Sequence, residues 1–129
     1  MFTIRQQHLA AFEQVALEQF EDTVAAHLQE NFAEECAALG DSAVHELIAQ
    51  GVGRAAAYGI EAETDVCLYI DLMVLFGRDF DRDPKLPWAS AILRDPKWED
   101  PSARVNHLYD TAVQRLEESE ALPEKRQEA

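Results

Sequence analysis

An all-α fold, a single irregular or orthogonal bundle of about five helices, is what three features of the sequence predict. Apolar residues recur at three- and four-residue spacings along most of the 129 residues. No stretch alternates apolar and polar residues as a half-buried strand would, and the five glycines and five prolines fall mostly where those stripes end. The length suits one domain with a modest core, and a hydrophobic content of 47% argues against disorder. The domain is expected over residues 1–116. The remainder, "EESEALPEKRQEA", is charged and contains Pro123, so it is expected to fray or be disordered.

The elements follow in order. Thr3 and Gln6 have the spacing of a capping box, and Leu9, Phe12, Ala16, Phe20, Val24 and Leu28 then form one stripe on a long first helix. Phe32, Cys36 and Leu39 continue it in a short segment that Gly40 can close. Asp41 or Ser42 is expected to cap a third helix carrying Val44, Leu47, Ile48 and Val52 and ending near Gly59. Thr64 is expected to cap a fourth, whose Val66, Cys67, Ile70, Met73, Val74 and Phe76 make it apolar nearly all round, as a central helix would be. Gly77 ends it. Prolines 84, 87, 96 and 101 punctuate a stretch with one short helix, about Trp88 to Leu93. A last helix starts near Ser102 and presents Val105, Leu108, Tyr109, Ala112, Val113 and Leu116.

Charge restricts the partners. Twenty-five acids against eleven Lys and Arg give a net charge of −14. Phosphate backbones and anionic membrane surfaces recruit clustered cations, so neither nucleic acid nor membrane is an expected partner. The amino terminus lacks an apolar leader, and the longest apolar run, "VCLYIDLMVLF", is too short to span a bilayer and is broken by Asp71. Cys36 and Cys67 stand alone in helical patterns, as free thiols rather than a bridge. These features point to the cytoplasm.

No motif for chemistry survives inspection. In "FGRDFDRDP", Asp79, Asp81 and Asp83 alternate as at the start of a calcium loop. Counting from Asp79, however, position 6 is Pro84 where the turn needs Gly, and position 12 is Ser90 where a bidentate Glu belongs. The acids are expected in solvent or on turn amides, with Arg78 and Arg82 as ready partners, and no metal is expected. "GVGRAA" at 51–56 copies a dinucleotide fingerprint inside a helical pattern, where small residues serve close packing instead. "HELIA" lacks the second His of a zinc-protease helix, the four histidines share no ligand spacing, and no Ser or Cys sits in a nucleophile motif. No catalytic residue and no cofactor is therefore assigned. Asp71 interrupts an apolar helix; if buried, it needs a partner such as Arg54 or Arg78.

The runs "AAAYGI", "DVCLYIDLMVLFGRDFD" and "LPWA" resemble small, acidic, helical bacterial proteins encoded in type VI secretion effector gene clusters. The resemblance spans roughly residues 5 to 116. Its most specific positions are Tyr58, Gly59, Ile60, Phe76, Gly77, Phe80, Asp81, Leu86, Pro87 and Trp88. It implies an adaptor or co-chaperone that holds or loads an effector, with no catalytic signature of its own.

The expected function is therefore non-catalytic binding of another protein with a basic surface. The alternative is an immunity protein that neutralises a cognate toxin through its acidity. The residues expected to meet the partner are Glu13, Glu18 and Glu21 on the first helix, Asp79, Phe80, Asp81 and Asp83 in the turn, and Leu86, Trp88 and Trp98 in the loop beyond. Phe80 and Trp88 are also expected to anchor that loop on the helices.

Overall fold

A computed structural model describes the backbone of residues 2–128 and the side chains of residues 16–118. Every regular element among them is a helix: α1 (Phe2–Asn31), α2 (Ala33–Leu39), α3 (Asp41–Ala57), α4 (Glu63–Phe76), α5 (Pro87–Arg94) and α6 (Pro101–Glu128). They belong to two compact units, Met1–Gln50 and Gly51–Ala129, so that α3 contributes to both. No described helix is long and apolar enough to cross a membrane.

In the first unit α1 and α2 pack together. The α1 stripe is realised at Val24 and Leu28, which are buried, while Phe20 is half-buried and Ala16 is exposed. The expected capping box and Leu9, Phe12 and Glu13 involve side chains outside the described residues. Cys36 is buried, but Leu39 is 42% exposed, because α2 ends there and the stripe no longer has a helix to face. Gly40 closes α2 at φ 87° and ψ 155°, an extended mirror-image conformation open essentially to glycine alone. Its carbonyl accepts the Val44 amide at 3.0 Å and so starts α3. Neither Asp41 nor Ser42 supplies the cap. Val44, Leu47 and Ile48 are buried as their spacing required.

In the second unit α6 packs against both α4 and α5. Gly51 lets α3 approach α4: a Cβ built there would meet Ile70 Cγ1 at 2.6 Å and Met73 Sδ at 3.0 Å, whereas one at Gly53 meets nothing. The end of α3 is a Schellman cap. The Gly59 amide donates to Ala56 O and the Ile60 amide to Ala55 O, at 2.9 and 2.8 Å, with Gly59 at φ 80° and Ile60 wholly buried. Helix α4 begins one residue before Thr64, with Ala62 as its uncapped start, and Glu63 and Asp65 meet the positive end of its dipole instead. Within it Asp65, Val66 and Tyr69 to Met73 are buried, so the nearly all-round apolar pattern is a core helix. Removing each large side chain there from water contributes about 1.5–3 kcal/mol.

The proline-rich stretch is more regular than its composition suggests, since Pro87 and Pro101 each occupy a first helical position. Asp100 caps α6, accepting the Ser102 amide on Oδ1 at 3.2 Å and the Arg104 amide on its carbonyl at 3.0 Å. The Ser102 hydroxyl in turn donates to the buried Asp65, tying the starts of α4 and α6 together. Val105, Leu108 and Ala112 are buried along α6. The fraying expected from Glu117 concerns mainly residues 119–129, whose side chains lie outside the description; the α6 backbone is helical to Glu128.

Candidate functional site

Gly77, at φ 111°, ends α4 and throws the chain into the acid-rich turn. Phe80 folds back beneath it and is 1% exposed. Its ring lies 5.1 Å from that of Tyr69, which in turn lies 6.2 Å from the ring of Tyr58. The expected anchor is therefore in place. The same burial corrects Phe80 as a partner contact, because its side chain has no surface to offer.

Asp81 is corrected in the same way. It was expected in solvent or on turn amides, yet it is 1% exposed and bound by side chains. Its Oδ2 accepts the Tyr58 hydroxyl at 2.7 Å, and its Oδ1 faces Arg54 Nη1 at 3.5 Å. Arg54 also donates through Nη1 to the Arg78 carbonyl and forms a 2.7 Å ion pair with Asp79 through Nη2. Arg82 stands farther off, its Nε 3.8 Å from Asp81 Oδ2. Asp83 Oδ1 accepts the Lys85 amide at 2.9 Å, an Asx turn that sets up α5. Asp79 and Asp81 thus share Arg54, whereas Asp83 turns to a backbone amide. The shared cation reaches across from α3 and stands nearer to Asp81 than Arg82 does. Asp71 is buried, and Arg54 is committed to Asp79 and Asp81.

The electrostatics hold protons where they are. The hydrogen bond to Asp79 keeps the Arg54 guanidinium charged by raising its pKa, and burial followed by Asp81 raises that of the Tyr58 hydroxyl. Burial, reinforced by Asp71, pushes the half-buried Cys67 thiol up to about 11, and burial also raises Cys36. Neutral thiols of this kind are weak nucleophiles. The network can brace a turn.

Beside the turn lies an open concavity of about 430 Å³. Phe76 and Gly77 form part of its wall, with Arg78, Asp79, Arg82 and Asp83 bringing two charges of each sign. Trp88 is half-buried and meets the Phe76 ring edge-on at 5.4 Å. Leu86 is half-buried at the start of α5. Trp98 is half-buried too, stacked on His107 at 4.8 Å with Lys97 over its ring at 5.6 Å. The Trp98 and Tyr58 carbonyls both accept hydrogen bonds from Arg104, the latter at 3.0 Å. Among the acids of α1, Glu18 is exposed and Glu21 half-buried.

Arg54 and Tyr58 were missed as site residues. A signal for them existed: Arg54 is the sole Lys or Arg between Arg5 and Arg78, and Tyr58 follows it by four residues on the same helical face. No protein-family model, curated protein or solved structure matches the chain.

Proposed function

We propose that this chain is a non-catalytic protein-binding module, an adaptor or co-chaperone for a type VI secretion effector or its loading assembly, that recognises a basic surface on its partner. The observation that carries the basic partner is the distribution of charge. Residues 1–50 hold nine acids and one arginine, a net of −8, whereas residues 51–129 hold sixteen acids and ten cations. Glu18, Asp22, Glu30, Glu34, Glu35 and Glu46 are all exposed. A surface of one sign accelerates encounter with an opposite one by about 10–1,000-fold, an effect that salt suppresses. The secretion context rests on the resemblance of the Tyr58–Ile60 and Phe76–Asp81 runs, which the Tyr58–Asp81 hydrogen bond joins.

The acidic turn contributes less to this recognition than its sequence promised, since Arg54, Arg78 and Arg82 offset Asp79, Asp81 and Asp83. Recognition by charge is assigned to residues 1–50. Association with the native partner, followed by stopped flow at rising salt, tests this. The rate falls with salt, and falls further when Glu18, Glu30 and Glu34 are reversed to Lys. A rate indifferent to both refutes the basic partner. The same one-signed surface would serve an immunity protein. Purification from the native host separates the roles: an effector-loading assembly supports the adaptor, and a lone toxin whose victims the chain rescues supports immunity.

A further inference from the structure

The chain carries a net charge of −14, yet one stretch of it runs the other way. Residues 76–94 hold Arg78, Arg82, Lys85 and Arg94 against Asp79, Asp81 and Asp83, and Arg54 joins them from α3. Five cations therefore meet three acids, a local net of +2. The open concavity of about 430 Å³ beside Phe76 is lined from this stretch, and its volume is in the range of ligand sites.

The charges that line it are not equally engaged. Asp79 is held by Arg54 at 2.7 Å. Asp83 uses Oδ1 for the Lys85 amide at 2.9 Å, which leaves its second oxygen as an acceptor. Arg82 is the available cation. Its side chain is 67% exposed, and its Nε stands 3.8 Å from Asp81 Oδ2, beyond the reach of a direct hydrogen bond. Asp81 does not depend on it, because the Tyr58 hydroxyl and Arg54 already meet its two oxygens. A guanidinium presents a planar fork that fits a carboxylate bidentately. Phe76 supplies an apolar wall next to that fork, its ring packed edge-on with Trp88 at 5.4 Å.

We propose that the concavity captures the C-terminal residue of a partner polypeptide. Arg82 takes the terminal carboxylate, Phe76 and Pro84 meet an apolar last side chain, and the second oxygen of Asp83 accepts the last peptide N–H. A chain terminus carries a carboxylate, an N–H donor and a side chain on one Cα, so it matches the cation, the acceptor and the apolar wall together. An acidic side chain matches the cation alone, since nothing apolar extends beyond its carboxylate. The inference does not rest on the acidic surface of residues 1–50.

Calorimetric titration of the full chain with three amino-blocked pentapeptides tests it. One ends in leucine with a free carboxylate, the second is the same peptide amidated, and the third is amidated with glutamate in place of the leucine. The first should bind with a Kd of about 1 mM or tighter, and the other two at least about tenfold more weakly, because each lacks part of the match. Arg82→Gln should weaken the first peptide about tenfold and leave the amidated one unchanged. No binding of the first peptide at about 1 mM, equal binding of the acid and amide forms, or a glutamate peptide held as tightly as the free terminus overturns the proposal. So does an Arg82→Gln chain that binds like the wild type. Should that variant fail to fold, the three peptides on the wild type decide.

Discussion

Removing the Tyr58 hydroxyl isolates the contact that makes the acidic turn a rigid feature. In Tyr58→Phe the ring stays beside Tyr69, and the 2.7 Å donor to Asp81 Oδ2 is lost together with the hydroxyl's contact with Arg94. A hydrogen bond to a charged acceptor contributes about 1.5–3 kcal/mol. The acceptor is 1% exposed, so bulk water does not replace the lost donor, and a loss of about 2 kcal/mol is expected. For a chain of this length that lowers Tm by about 8 °C.

Two companions set the scale. Arg54→Ala leaves the buried Asp81 with only the distant Arg82 for charge and should cost at least as much, about 3 kcal/mol. Asp79→Ala breaks the shorter ion pair, but the Asp79 side chain is 70% exposed, so it should cost less than about 1 kcal/mol. Urea unfolding of the three variants gives the order, and a cycle combining Tyr58→Phe with Asp81→Asn should show a coupling of about 1 kcal/mol or more. If Tyr58→Phe stays within about 0.5 kcal/mol of the wild type, the turn is not braced from below and the reasoning fails.

Phe80→Ala, which empties a 1%-exposed site against Tyr69, should cost about 3–5 kcal/mol by thermal unfolding; an unchanged Tm would make Phe80 a surface residue. Gly51→Ala should destabilise by about 1–3 kcal/mol, because its Cβ meets Ile70 Cγ1 at 2.6 Å. Gly53→Ala, with nothing within 4 Å, should instead stabilise by up to about 1 kcal/mol, and equal effects would refute the close α3–α4 approach. Cys67, raised from 9.0 to about 11, should react with a disulfide reagent at pH 8 about a hundredfold more slowly than an unhindered thiol, through its thiolate fraction alone. Since the folded form holds that proton more tightly than the unfolded one, the stability it contributes is intact below pH 9 and should decline between pH 9 and about 11, less so in Cys67→Ala.

The helices were legible because local signals agree with their packing. Val66 to Phe76 is apolar on nearly every face and is a largely buried helix of its unit; Gly59 and Gly77 sit where the stripes stop and take positive φ. The caps were not legible. Asp41, Ser42 and Thr64 carry side chains suited to the task, but backbone carbonyls at Gly40 and Ala62 start the helices. Leu39 fits the period and is still exposed, since periodicity says which face a residue shares and not how far the partner helix extends. The turn was misread for a similar reason. Alternate acids look solvated when only neighbours are weighed, and the groups that bury Asp81 lie 27 and 23 residues away, at Arg54 and Tyr58.

The separation of charge along the chain bears on whether acidity means recognition or mere solubility. Solubility needs a net charge away from zero, and mixed surfaces achieve it with less self-repulsion. Residues 51–129 have that mixed character, with ten cations among sixteen acids, and the Arg54–Asp79 and Arg54–Asp81 contacts are drawn from it. Residues 1–50 set nine acids against Arg5 alone. Repulsion within that unit opposes compaction, and screening relieves it, so added salt should stabilise the isolated chain while weakening its grip on a basic partner. Solubility alone accounts for the first response and leaves the second unexplained. Opposite salt dependences of folding and association, measured on one preparation, are therefore the signature of an acidic face used for recognition.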